Sequence, residues 1–270
     1  MIRLLHLSDP HFGAADAVAA AAFLERAAEL APDFTLLSGD LTMRARRCEL
    51  AAAREFVDAL PTPALLIPGN HDIPGLNQPF DRFFRPFHRF QKIFGKELEP
   101  ELLADGLHVV CLNSTRAFGF HADWSEGKLS QSQLQRAESR FAIGPPVLRV
   151  LMLHHPLMAP VGHGRAVVDP LPDVFGLISR SNVDLVLCGH FHRSHLATIG
   201  LHGSWQGIVS QAATVCSTRL QGEPQGFHEI LVSGEQMEII RHRYIDGHYV
   251  PDSTFPFQRG LAGWRVVHPQ

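Results

Sequence analysis

Six short apolar runs constrain this chain more than any other feature. Ile2–Leu7, Phe34–Ser38, Ala64–Ile67, Leu107–Asn113, Leu148–His154 and Val183–Cys188 are nearly continuously apolar, as strands covered on both faces are. Between them, Ala14–Leu30, Arg44–Leu60, Ser130–Phe141 and Pro172–Ser181 combine good helix formers with apolar residues at a helical period. Strands alternating with helices over 270 residues predict an α/β fold (α+β in some schemes) with a core large enough to need no disulfide. Past Gly189 the pattern changes. Ala197–Ile199, Ile208–Gln211, Glu229–Val232 and Met237–His242 read as hairpin strands between Gly-containing turns. The last stretch, residues 251–270, is rich in Pro, Phe and Gly and is expected to be an irregular C-terminal tail. Residues 1–250 read as one domain, with no linker or internal repeat.

The residues just past the end of each strand carry the chemistry. The first strand runs into Asp9-Pro10-His11, the second ends at Gly39-Asp40, and the third at Gly69-Asn70-His71-Asp72. The fifth runs into His154-His155, and the sixth into Gly189-His190-Phe191-His192. Ligands of open α/β sheets bind outside the carboxyl ends of the strands, so these residues are expected on one rim. Histidine totals 17, far more than a surface needs, and neutral imidazole is the commonest metal ligand. Oxygen and imidazole donors without thiolate suit Mn, Fe, Zn or Ni. In Asp-x-His and His-x-His, alternate residues of an extended segment face the same side, so both reach one ion. Two cations ~3.5–4 Å apart need a shared carboxylate, for which Asp40 is placed.

These motifs resemble the signature of the calcineurin-like metallophosphoesterase superfamily: D-x-H, GD, GNH[DE], H and GHxH, in that order. The match runs from Asp9 to His192, and HHPL with GHFH further along is most similar to bacterial class III cyclic-nucleotide phosphodiesterases and their glycerophosphodiesterase relatives. The resemblance implies a four-layer α/β/β/α sandwich of two mixed sheets with a helical cap insertion, and two divalent or trivalent metal ions (Mn, Fe or Zn). Carried over by motif, Asp9, His11, Asp40 and His192 hold the first ion. Asp40 bridges to a second, completed by Asn70, His154 and His190, with His155 the alternative to His154. His71 contacts the phosphate or protonates the leaving oxygen, and Asp72 orients its ring. A metal-bridging hydroxide then attacks phosphorus in line. The implied substrate is a small soluble phosphodiester such as a 3′,5′-cyclic nucleotide. A lipid-linked pyrophosphate of the UDP-diacylglucosamine type, or a glycerophosphodiester, is the alternative. A non-enzymatic scaffold of this fold would be expected to have lost ligands, and here the motif set is intact.

Specificity is expected in the insertion of about residues 73–105, read as a substrate cap. Phe80, Phe83, Phe84, Phe87, Phe90 and Phe94 lie close to one helical face, either docking a cap helix or forming an aromatic wall, and Pro86 should split the helix. Arg82, Arg85, Arg89 and Lys92 share the segment, as a solvated face or as contacts to extra phosphates. The loop Met158–Pro170, with His163, is a candidate lid. Asn113, on the same rim, is a turn-former or an indirect contact to His71. His195 and His202 are expected outside the ligand set. A net charge of −3 provides no field for a nucleic-acid polymer. No run approaches the length of a membrane span. The start of the chain does not read as a signal peptide, and four scattered cysteines without a CxxC pair fit a reducing cytoplasm. A homodimer is compatible with the sequence.

Overall fold

The computed structural model describes residues 1–117, 126–143, 148–159, 167–200 and 203–267. Its first half contains β1 (Ile2–Leu7), α1 (Ala17–Leu30), β2 (Phe34–Leu37), α2 (Arg47–Asp58), β3 (Ala64–Leu66), α3 (Pro79–Phe84), α4 (His88–Phe94), β4 (Glu101–Ala104) and β5 (Leu107–Cys111). Next come β6 (Gly127–Lys128), α5 (Gln131–Phe141), β7 (Leu148–Met152), β8 (Val168–Asp169), α6 (Leu171–Arg180), β9 (Leu185–Cys188) and β10 (His195–Ile199). The chain closes with β11 (Gly207–Gln211), β12 (Gly226–Ser233), β13 (Gln236–Ile245), β14 (His248–Gly260) and β15 (Gly263–Val266). All six apolar runs form strands. Two helix starts show side-chain capping: Asp16 accepts from the amides of Val18 and Ala19, and Ser130 caps α5 reciprocally with Gln133.

Two mixed sheets result, ordered β15-β14-β13-β12-β1-β2-β3 and β10-β11-β9-β7-β5-β4. Strand periodicity divides the apolar side chains among three layers of core. Leu4, Val109, Cys111, Val150 and Ile230 fill the space between the sheets. Leu5 and Leu7 face outward against α1, α2 and α4. Val110 and Leu151 pack against α5 and α6. The expected α/β/β/α sandwich is therefore present. Strands β1, β2 and β3 run parallel in one sheet, and β5, β7, β9 and β11 run parallel in the other.

One expectation is overturned. The segment from Pro251 is not an irregular tail: β14 and β15 continue the first sheet to its edge, and Phe257 and Trp264 enter the inter-sheet core. Its prolines are accommodated at the periphery of the sheet, where a missing N–H costs little. Pro251 pairs with His242 where the β13–β14 register shifts, skipping Asp252.

The insertion divides as Pro86 suggests, into α3 and α4. Phe90 is buried beside α2 with Phe94 packed at the same core, whereas Phe80, Phe83 and Phe84 are exposed. The six phenylalanines thus do not share one role. Of the candidate lid, residues 160–166, including His163, lie outside the described residues, and Val168–Asp169 form β8, paired with β6. His202 also lies outside them, and His195 is exposed on β10.

Candidate metal centre

The carboxyl ends of β1, β2 and β3 from one sheet meet those of β7 and β9 from the other. Asp9, His11, Asp40, Asn70, His154, His190 and His192 converge there, and all but the part-buried His190 are buried. The turns that deliver them are unusual. Among nine described non-glycine residues with positive φ, five are Asp9, His11, Asp40, His190 and His192, at 54°, 50°, 54°, 76° and 53°. L-residues adopt this conformation at a cost that the surrounding structure must offset, and such strain clusters at functional sites. Two glycines make the approach possible. A methyl group on Gly69 would strike the Asp40 carboxylate, and one on Gly189 would strike Ser8 and Asp9.

Two sets of donors share one oxygen. Asp9 Oδ1 lies 3.6 Å from His11 Nε2 and 3.4 Å from His192 Nε2, and His11 Nε2 is 3.5 Å from Asp40 Oδ2. The same Asp40 Oδ2 lies 3.4 Å from His154 Nε2. Asn70 Oδ1 is 3.1 Å from both His154 Nε2 and His190 Nδ1. Ligand atoms ~2.0–2.2 Å from a common ion stand about 3 Å apart, which these spacings match.

Hydrogen bonding determines which ring nitrogens carry protons. His11 Nδ1 faces Thr42 O at 3.2 Å, His192 Nδ1 faces Arg219 O at 2.7 Å and His154 Nδ1 faces Ser38 O at 2.8 Å. A carbonyl only accepts, so each Nδ1 donates and each Nε2 presents a lone pair. His11 Nε2 and His192 Nε2 are nonetheless 2.8 Å apart, and His154 Nε2 faces two oxygens. Asp9 Oδ1 is buried with no hydrogen-bond donor. Acceptors confronting acceptors without solvent are repulsive unless a cation lies among them. The residues present therefore fit metal ions. The electrostatics call for positive charge at the same place: burial disfavours charge on His154, yet Asp40 and Asp9 carry its pKa up to about 9, so a proton occupies Nε2 wherever a metal ion does not. Burial likewise works to raise Asp9, but His192 and His11 hold its carboxyl well below the usual range.

His154, not His155, reaches Asp40. The His155 ring is turned so that Nδ1 meets Ser114 Oγ at 2.8 Å, and its buried Nε2 has no partner. His155 remains close to the second set, its ring centroid 4.8 Å from that of His190. Asn113 takes the turn-former role, its Oδ1 accepting from the amide of Thr115.

The expected pairing of Asp72 with His71 is corrected. Asp72 accepts from the amides of Leu41, Thr42 and Gly69 and from the Thr42 hydroxyl, at 2.8–3.0 Å, and so ties the β2 loop to the β3 loop. Four donors saturate both oxygens, leaving none for an imidazole. The His71 ring is held instead by Met43 O, 2.8 Å from Nδ1, while Arg219 Nη1 lies 3.3 Å from Nε2. The His71 amide donates to Asp40 Oδ1 at 2.8 Å. Sequence reasoning missed Met43 and Arg219. The first acts through a backbone carbonyl that any residue supplies, and the second is 148 positions from His71.

A fold of two mixed sheets with this rim defines a class of phosphoester-processing proteins, and the comparisons agree. The profile of the calcineurin-like phosphoesterase family matches residues 2–194. The chain belongs to that family. Over 192 residues it is 30% identical to a probable cyclic nucleotide phosphodiesterase of Synechococcus sp., covering 67% of this chain and 66% of the relative. Over 210 residues it is 26% identical to the glycerophosphodiester phosphodiesterase GpdQ of Enterobacter lignolyticus, covering 70% of each. The fold also resembles a purple acid phosphatase of yellow lupin, with TM-score 0.68, 12% identity, and coverage of 96% of this chain and 54% of that one. Arg219 lies beyond the region that the family profile matches.

Proposed function

We propose that this protein is a dinuclear metal-dependent phosphodiesterase acting on a small soluble diester, with a 3′,5′-cyclic nucleotide as the first substrate to test. The observation that carries the reading is the pair of acceptor sets meeting at Asp40 Oδ2. Asp9, His11, His192 and Asp40 would hold one ion, and Asp40, Asn70, His154 and His190 the other. Ions bound there would supply charge neutralisation for the phosphate and activate water near neutral pH.

The chain's own residues do the rest. Carbonyls of Ser38, Thr42 and Arg219 fix the tautomers of three histidines, so each Nε2 is preorganised as a ligand. Asp72 locks the two loops that carry Asp40 and Asn70. His71, its ring 4.8 Å from that of His11, serves the leaving oxygen. With Nδ1 donating to Met43 O, it must take a proton at Nε2 to act as a donor. Arg219, 3.3 Å from Nε2, stands beside the same position with its own positive charge.

The diester preference and the cyclic nucleotide rest on the cyanobacterial relative. The second relative favours a glycerophosphodiester as the alternative. The exposed Phe80, Phe83 and Phe84 keep a lipid-linked pyrophosphate among the substrates to assay.

The deciding experiment compares bis(p-nitrophenyl) phosphate with p-nitrophenyl phosphate on Mn-loaded protein, then adds cyclic AMP, a glycerophosphodiester and detergent-dispersed lipid pyrophosphate. Diester preference with cyclic AMP turnover supports the full reading. Diester turnover without it moves the substrate to the alternatives, and no metal-dependent turnover of any of these rejects the function. His71→Ala should keep both metal equivalents while losing rate. Loss of an equivalent would make His71 a ligand.

A further inference from the structure

Beside His71 a cleft of about 440 Å³ opens between the loop after β2 and the start of the insertion. That size suits a small molecule or one arm of it. Asn70 and His71 form its inner end, so it is continuous with the metal centre. Its walls are cationic: Arg44 and Arg46 come from one segment and Arg82 from another, and no Asp or Glu lines it among the described residues. For a chain of net charge −3 this is a local reversal of sign.

The arrangement is built, and it differs from a solvated face in how nearby acids are used. Glu49 accepts from the backbone amides of both Arg44 and Arg46, at 2.8 and 3.2 Å. It thereby shapes the loop without taking up the Arg44 guanidinium. Arg46 keeps only a loose contact with Glu49, at 3.7 Å, and the Arg44 side chain has no hydrogen bond or ion pair among the described residues. Asp81, on the neighbouring helix, is engaged by Arg85 and Arg89. Arg89 also bonds Gln78, which lines the cleft. Arg82 is buried, donating to Pro74 O at 2.7 Å. Arg219 flanks His71 as well, adding a further cation.

We propose that this cleft is a subsite for a second anionic group of the substrate, a phosphate or carboxylate carried on the ester arm next to His71. The inference rests on the phosphodiesterase reading and narrows its substrate class. Planar guanidinium forks match such oxyanions, often with two parallel hydrogen bonds. Converging cations in a concave wall focus the field on one spot. A 3′,5′-cyclic nucleotide, with one anionic group, leaves the subsite empty. A diester with a second phosphate or carboxylate on one arm fills it, and ranks above the cyclic nucleotide in affinity. Of the two readings of the insertion, the aromatic wall is not found at this cleft, where arginine and amide side chains stand with Met43, Ile73 and Leu76 and no phenylalanine lines it among the described residues.

Calorimetric titration of the Mn-loaded full chain tests this with butyl phosphate against ethane-, propane- and butane-α,ω-bisphosphates. The best bisphosphate should bind at least about tenfold more tightly than butyl phosphate, the scale of one added charge-assisted contact. In R44Q/R46Q that ratio should fall below about threefold, whereas R47Q, which removes a neighbouring charge outside the cleft, should retain it. Equal affinity across the series overturns the proposal, as does a ratio that survives R44Q/R46Q or is lost equally in R47Q. If R44Q/R46Q does not fold, the salt dependence of the wild-type ratio decides. The ratio should shrink between 50 and 500 mM KCl by at least about threefold, and a salt-independent ratio rejects the subsite. Turnover of bis(p-nitrophenyl) phosphate by the same wild-type sample reports the parent reading separately. The tenfold ratio in protein inactive on every ester of the panel above rejects the phosphodiesterase and keeps the anion subsite, and active protein without the ratio does the reverse.

Discussion

Two groups of buried histidines lie near one another in this sandwich, and their hydrogen bonds are opposite in kind. Between the sheets, His6 Nε2 meets Ser38 Oγ at 3.1 Å and Nδ1 meets Ser210 Oγ at 3.0 Å. Ser210 Oγ continues to His228 Nδ1, and His228 Nε2 to Ser194 Oγ, both at 2.7 Å. Ser38 Oγ donates to Leu7 O, so the protons run consistently along the chain: His6 Nε2–H donates to Ser38, Ser210 to His6 Nδ1, His228 Nδ1–H to Ser210, and Ser194 to His228 Nε2. Every ring nitrogen is satisfied with both imidazoles neutral. At the rim, by contrast, Nε2 lone pairs of His11, His192 and His154 face one another or oxygens. Burial and residue type are the same in both groups. The balance of donors and acceptors separates a polar cross-brace from a metal centre.

The largest effect should come from breaking the rim at its shared atom. Asp40→Asn keeps an oxygen for the His71 amide but removes the charge common to both donor sets. Diester turnover on the Mn-loaded protein should fall by about 10³-fold or more, the scale of losing a principal transition-state electrostatic contact. Wild-type turnover would end the bridging role. Next, metal should stabilise the protein through the rim and not through the brace. At 100 to 1,000 times its Kd, Mn should add about 3–4 kcal/mol in denaturant unfolding, and a chelator should remove it. Asp40→Asn should lose most of that gain and Ser210→Ala none of it.

Ser210→Ala acts on the brace alone. It orphans one nitrogen on each of His6 and His228, with an expected cost of about 3 kcal/mol in urea unfolding at pH 8. A cost below about 1 kcal/mol would show that the chain of bonds contributes little. The smallest effect concerns acid. Burial pushes the pKa of His6 down to about 3 from the ordinary 6.5, against the pull of Asp9, and holds His228 well below its usual value. The unfolded state then binds more protons than the folded state, so stability falls as pH drops from 6.5 toward 3. Between pH 6.5 and 5.5 the loss should be about 1 kcal/mol per histidine. His6→Gln should flatten that slope, and an unchanged slope would mean that His6 is not held neutral.

Much of the molecule was legible in the amino-acid order. Apolar runs bury on two faces, so they become strands, and the polar residue that ends each run marks where the strand leaves the core. Asp9, Asp40, Asn70, His154 and His190 were readable as one rim for that reason, and the helix start at Ser130 was readable from its helical period, whereas α1 begins a few residues later than the Ala14 read for it. The extended segment from His248 to Gly260 was obscured by Pro251 and Pro256, whose local meaning is a break. An edge position, unknown from sequence, makes them tolerable. The phenylalanines of the insertion were visible as a stripe, but their spacing alone does not reveal that Phe90 reaches the core while Phe84 does not.

By itself, the sequence determined the alternation of strands and helices, the family, and the donor types at the strand ends, because hydrophobic periodicity and motif spacing act over short separations. Tertiary structure alone decided the rest. It chose His154 over His155 at Asp40, took Asp72 away from His71, put Met43 O and Arg219 there instead, and gathered Arg44, Arg46 and Arg82 around one cleft. Each of those outcomes depends on which lone pairs and charges meet across long stretches of chain, and that is settled only when the two sheets close on one another.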